Sequence, residues 1–274
     1  MEVVVLGSGP SSSVPSIRCL LTNPACHVCR EAHANPQSKN RRLNPSLLVR
    51  NLALGENLLV DCGKTFREAA LRVFPAIGVT SVHGILLTHG HADACLGLDD
   101  LREVQASDER IDPPPPFRWV AKARFQLFNA LEPFVACGFE ILPFPVIHGA
   151  GYISNAFEFG REIGVRFVYI SDVSELTPEA RALLNDPARP QIDVLIIDAL
   201  YVDKFHSTHM NLQDVVREVR SVRPKRTLLT GMSHELDYTR DSILLQKISH
   251  DEGLIIEMAY DGLVLSFPAQ AAGR

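Results

Sequence analysis

Residues 88–98 read THGHADACLGL, two histidines and an aspartate set directly after the apolar run GILLT at 84–88. That run is of buried-strand type, so the polar cluster sits where a sheet ends, the place where α/β proteins put their chemistry. Histidines two residues apart on a loop leaving a strand can aim two imidazoles at one point, and an aspartate two residues on can reach the same cavity. Imidazole with carboxylate suits zinc, manganese or iron. In isolation the pattern also fits a polar turn with solvated histidines. Two other strand ends supply matching residue types: PVIHG at 145–149 sets His148 after an apolar run, and VYISD at 168–172 ends a strand in Asp172. Candidate ligands at three strand ends converge more readily around a metal than by accident.

The 274 residues, 46% of them hydrophobic, can bury a full core, which argues against disorder. The net charge of −5 is modest, and basic residues gather only in short pieces such as Arg41-Arg42 and RPKR at 223–226. No extended nucleic-acid groove is expected, although a short nucleotide remains compatible. The N-terminus, MEVVVLGSGP, lacks the charged and apolar regions of a signal peptide, and no segment approaches ~20 uninterrupted apolar residues. A cytoplasmic protein with no membrane contact is the expectation.

Six cysteines in a reducing compartment point to packing or a metal rather than to disulfides. Cys19, Cys26 and Cys29 cluster, whereas Cys62, Cys95 and Cys137 are scattered. The C-x-x-C spacing of Cys26 and Cys29 lets two sulfurs share one zinc; a redox pair or buried free thiols are the alternatives.

Apolar strand-type runs recur at 3–6, 46–49, 58–60, 85–88, 119–120, 167–170, 194–197, 227–229, 255–258 and 263–267. Helical spacing is clearest in NLQDVVREVRSV at 211–222, where Leu212, Val215, Val216, Val219 and Val222 form one stripe, Asn211 caps the start and Pro224 closes the end. Weaker helical patterns cover 95–105, 121–131, 178–184 and 240–249. IDPPPPF at 111–117 reads as a stiff connector. With no internal repeat, one domain over 1–274 is the simplest organisation.

The HxHxD cluster, with LVDCG at 59–63 upstream and His148 and Asp172 downstream, resembles the metallo-β-lactamase superfamily. Its H-x-H-x-D-H motif is completed by a later histidine, an aspartate and a final histidine. GSGPSSSVPSIRC at 7–19, ISDV at 170–173 and KRTLLTGMSHELD at 225–237 are similar to the PhnP-type cyclic phosphodiesterases. The resemblance implies an α/β (α+β) fold, an αββα sandwich with the metal at one edge. It implies that His89, His91 and His148 bind one metal beside Asp172, which can bridge to a second ion faced by Asp93. This chain departs from the pattern at Ala94 and Gly231, where the family has histidines. Neither residue has a side-chain donor, so one well-held Zn2+ or Mn2+ is expected at the catalytic centre, with Asp93 free to act as general base or to orient the attacking water. The resemblance further implies that His209 protonates the leaving oxygen. It also implies that His234 completes a closed structural Cys3His zinc site with Cys19, Cys26 and Cys29; His27, inside the C-x-x-C motif, is a strained competitor.

The expected activity is hydrolysis of a small cyclic phosphodiester or short nucleotide by hydroxide generated at the metal, so the partner is a small phosphorylated substrate. Acyl hydrolysis of a lactone or thioester keeps the same fold and chemistry. A retired enzyme that binds a nucleotide or partner is the third possibility, and Ala94 and Gly231 are its signature.

Overall fold

The computed structural model describes residues 1–23, 25–105 and 121–268. Strands are β1 (Glu2–Gly7), β2 (Ser46–Asn51), β3 (Glu56–Val60), β4 (Gly84–Leu86), β5 (Phe134–Ala136), β6 (Phe139–Ile147), β7 (Ile153–Phe159), β8 (Phe167–Ile170), β9 (Glu175–Leu176), β10 (Val194–Asp198), β11 (Thr227–Thr230), β12 (Ile256–Met258) and β13 (Val264–Ser266). Helices are α1 (Ile17–Thr22), α2 (His27–Ala34), α3 (Phe66–Ile77), α4 (Ala92–Cys95), α5 (Pro178–Leu184), α6 (Leu212–Val222) and α7 (Tyr238–Glu252). The strands make two sheets, in the orders β13-β1-β2-β3-β4 and β12-β11-β10-β8-β7-β6-β5, with β9 pairing β6.

Period-two alternation decides what each face buries. Val3 and Val5 of β1 pack inward with Phe167 and Tyr169 of β8 and Val194 and Ile196 of β10, so one apolar layer joins the two sheets. The intervening residues face outward. Val4, Leu6, Leu48 and Leu59 meet Phe66, Ala69, Val73 and Phe74 of α3. Val168, Ile170, Leu195 and Ile197 meet Ala180 and Leu184 of α5, the stripe of α6, and Leu245 of α7. Helix, sheet, sheet and helix therefore stack in the order expected of an αββα sandwich.

Helix α6 begins at the anticipated cap: the Asn211 side chain accepts from the Asp214 N–H, and Asp214 accepts from the Asn211 N–H. Two helical patterns resolve differently. Residues 121–129 adopt no regular structure, because Phe125 and Leu127 are exposed and no sheet face receives their apolar spacing. The pattern at 95–105 breaks into the end of α4 and a 3-10 turn at Leu98–Glu103. Gly97 docks there on the strand end below, its N–H donating to the Cys62 carbonyl at 2.8 Å. The IDPPPPF connector and the apolar pair at 119–120 lie outside the described residues. No helix among the described residues is long and apolar enough to cross a membrane.

Arg42 links the N-terminal part of the chain to the loop after β11. It is fully buried, donating from Nη1 to the carbonyls of Ser233 (2.8 Å) and Leu236 (2.9 Å) and from Nη2 to Asn40 Oδ1 (3.1 Å). Burial pulls its pKa down to about 10 against the pull of Asp261, Asp237 and Asp241. Arg42→Ala is expected to lower the unfolding free energy by about 3 kcal/mol or more in a urea titration, since it takes the guanidinium donor from the Leu236 carbonyl, leaves the Ser233 carbonyl with only the Leu236 N–H, and opens a large cavity. A change under about 0.5 kcal/mol, the scale of a surface substitution, would contradict that role.

Candidate metal centre

The site forms where strand ends coincide. Strands β8, β10, β11 and β12 are parallel, and β6 runs the same way because β7 is antiparallel to both β6 and β8. Residues just past the C-terminal ends of β6, β8 and β10 therefore reach one edge: His148, Asp172 and the strand-ending Asp198. In the facing sheet, parallel β3 and β4 deliver Asp61 and His89 to the same edge. The β3 end packs tightly against the metal loop, with the Cys62 N–H donating to the Ala94 carbonyl at 2.7 Å. A Cβ on Gly63 would lie 1.8 Å from the Asp93 carbonyl oxygen, which explains the glycine. Asp61 and Asp172 both hold left-handed backbone, φ 60° and 55°, a strained conformation that clusters at functional sites.

Four side chains converge here. His148 Nε2 lies 3.2 Å from His91 Nδ1 and 3.6 Å from Asp172 Oδ2, and His89 Nε2 lies 3.3 Å from Asp172 Oδ2. A tetrahedral ion with bonds of about 2.0–2.1 Å separates its donors by about 3.3 Å, so the spacing fits a small divalent cation. His89 Nε2 is buried with no hydrogen-bond partner among the described residues, as a lone pair aimed at a metal requires. Burial, reinforced by His148 and His91, pulls the His89 pKa down to about 3, and burial likewise lowers that of His148. Both imidazoles are thus in the neutral state that donates to a metal. Burial next to Asp198 pushes Asp172 up to about 7.

Hydrogen bonds at the outer nitrogens orient two of these ligands. The Thr88 hydroxyl is 2.8 Å from both Asp61 Oδ2 and His89 Nδ1. Its single hydrogen serves the carboxylate, so it accepts from Nδ1–H and leaves Nε2 for the metal. His148 Nδ1 donates to the Thr208 carbonyl at 2.7 Å, with the same result.

Asp93 is buried in α4 but stands outside this donor set, near enough for its charge to raise the pKa of Asp172 and His209. His209 Nδ1 donates to Asp198 Oδ2 at 2.6 Å, and its ring stands 5.0 Å from that of His148. Burial would lower its pKa, yet the charge and hydrogen bond of Asp198, with Asp172 and Asp93, raise it to about 9. Asp198 belongs to no motif singled out in the sequence; its signal there is VLIID at 194–198, an apolar strand ending in a carboxylate like ISD. Ala94 is buried, and Gly231 sits at φ 68°, where a Cβ would fall 2.1 Å from Asp198 Oδ1.

The second cluster also assembles. Cys19, Cys26, Cys29 and His234 offer donor atoms all within 4.8 Å of one another. Cys26 Sγ is 3.5 Å from His234 Nδ1, Cys19 Sγ is 3.7 Å from Nε2, and the Ser16 N–H donates to Cys29 Sγ at 3.3 Å. His27 stays outside, exposed and 3.6 Å from Asp237. These donors fit a closed Cys3His site on both type and spacing.

A set of three histidines and a carboxylate, buried except at His91, at the strand ends of an αββα sandwich defines the metallo-β-lactamase class of hydrolases. The chain belongs to the Beta-lactamase superfamily domain family, whose sequence pattern matches residues 56–232. It is related to PhnP: a crystal structure of a diphosphatase from the PhnP family is 29% identical, superposes with a TM-score of 0.76 and covers 98% of each chain. An octanoyltransferase of Porphyromonas gingivalis is 26% identical over 252 residues, 85% of this chain and 46% of its own length. A ribonuclease Z of Methanosarcina acetivorans is 32% identical over 123 residues, 43% of this chain and 39% of its own. The chain thus spans less than half the length of these curated relatives.

Proposed function

We propose that the protein is a metal-dependent phosphodiesterase acting on a small cyclic phosphodiester or a short nucleotide. The observation that carries this reading is one edge on which four donors lie within 4.8 Å of one another, three of their separations being 3.2–3.6 Å, beside a hydrogen-bonded His209–Asp198 pair. His89, His91, His148 and Asp172 would hold a divalent ion, which when bound would supply Lewis acidity and lower the pKa of water to about 7. Asp93 takes the proton of the attacking water, or holds that water in line. His209, anchored through Nδ1, presents Nε2–H and gives its proton to the departing oxygen. The names of two relatives, a diphosphatase and a ribonuclease, support a phosphate substrate; the octanoyltransferase supports an acyl alternative. Turnover of cyclic nucleotides or bis(p-nitrophenyl) phosphate without turnover of thioesters would favour the first reading, and the reverse would replace it. Tight nucleotide binding without turnover under Zn2+ or Mn2+ would mark a retired enzyme.

With no side-chain donor at Ala94 and Gly231, one well-held catalytic ion and a weak or empty second position are proposed, and the cysteine cluster would hold a structural zinc that ties α1 and α2 to the loop after β11. Elemental analysis of the protein purified without added metal is expected to find about two metals per chain, one lost in His91→Ala and the other in Cys26→Ser. A third would show that the second catalytic position survives. A single metal, lost in Cys26→Ser and indifferent to His91→Ala, would overturn the enzyme reading.

A further inference from the structure

Of the three imidazoles at the centre, His89 and His148 are fixed by hydrogen bonds at their outer nitrogens. His91 has no such bond among the described residues: its Nδ1 faces His148 Nε2, and the residue is exposed where the other two are buried. Its ring instead lies flat against Tyr152, with centroids 4.8 Å apart and planes 2° from parallel. Tyr152 is held from several sides. Its hydroxyl accepts from the Gly90 N–H at 3.1 Å, its carbonyl accepts from the His148 N–H at 2.9 Å, and its own N–H donates to the Gly149 carbonyl at 3.2 Å. One residue therefore clips together the two segments that carry His91 and His148. A ligand histidine with a free outer nitrogen can swing about its side-chain torsions, and metal affinity falls when ligand orientation is lost.

We propose that Tyr152 is a positioning residue that sets the plane of His91 by stacking, in the role that hydrogen bonds fill for His89 and His148. This inference rests on reading His89, His91, His148 and Asp172 as a metal centre.

The test is calorimetric titration of the full chain with Mn2+, an ion that thiolates hold poorly, so that the heat reports this centre. Tyr152→Leu is expected to weaken binding about 10- to 100-fold, the range for loss of an orienting partner, while Tyr152→Phe keeps the ring and stays within about threefold. Equal melting temperatures of the metal-free variants would separate positioning from folding. If Tyr152→Leu does not fold, Tyr152→Met replaces it. Wild-type affinity in the Leu or Met variant would overturn the proposal. So would a loss in Tyr152→Phe as large as in Tyr152→Leu, which would assign the effect to the Gly90 hydrogen bond. His91→Ala separates the two levels. If it binds Mn2+ like wild type, the metal-centre reading falls and takes this proposal with it. If it fails to bind while Tyr152→Leu binds normally, only the stacking role is overturned.

Discussion

His148→Ala is expected to leave the His/Asp centre without its metal and to lower turnover by about 10³-fold or more, because a bound cation contributes several kcal/mol of charge stabilisation in the transition state. His148 is 3% exposed, meets both His91 and Asp172 through Nε2, and spends Nδ1 on the Thr208 carbonyl. Alanine removes a donor from the middle of the set and leaves the carbonyl unpaired. His91, His89 and Asp172 would remain, but with a gap that water must fill in a buried pocket. Metal content and steady-state turnover measured on the same preparation decide the matter. Full metal occupancy with unchanged rate would place the chemistry elsewhere.

The second large effect concerns proton transfer. His209→Ala is expected to cut kcat by about 10²- to 10⁴-fold on substrates with alkoxide leaving groups, and far less on p-nitrophenyl esters, whose leaving group departs without a proton. The pH dependence follows from the pair. As the proposed proton donor His209 would act in its protonated form, and Asp198 keeps its pKa up at about 9. Activity should persist through neutral pH and fall as pH rises through about 9. Asp198→Asn removes the charge that holds the proton, so the alkaline limb should move down toward the ordinary imidazole value of about 6.5. An alkaline limb that stays in place in Asp198→Asn would show that another group governs it. A His209→Ala defect equal on both substrate types would assign His209 to binding rather than to proton donation.

Some of this architecture was legible because its signals are local. Helix α6 carries its own stripe, its own capping box and its own stop, so no distant contact was needed to read it. Strand β8 shows continuous apolar character because both its faces are covered, Val168 and Ile170 by helices and Phe167 and Tyr169 by the other sheet. Strand β6 was harder: Pro143 and Pro145 interrupt the usual strand composition, yet the register with β7 passes through both, pairing them with Phe157 and Asn155. The pattern at 121–131 has helical spacing but no packing partner for Phe125 and Leu127, and spacing without burial does not make a helix.

By itself the sequence determined the residue types of the centre and their places at strand ends: His89 and His91 in THGHAD, His148 after an apolar run, and Asp172 closing another. It also determined the cysteine spacing and the two positions, Ala94 and Gly231, that carry no donor. Only the tertiary structure decided which nitrogen His89 and His148 turn inward: Thr208, which orients His148, is 60 residues away, and Asp61, which takes the hydrogen of the Thr88 hydroxyl beside His89, is 27 residues from that threonine. The family resemblance names Cys19 and His234 as partners, and the tertiary structure sets them 3.7 Å apart across 215 residues; it alone paired Asp198 with His209 and laid Tyr152 on His91. Local pattern is written in neighbouring side chains, whereas ligand orientation and protonation come from partners that folding brings within hydrogen-bond reach.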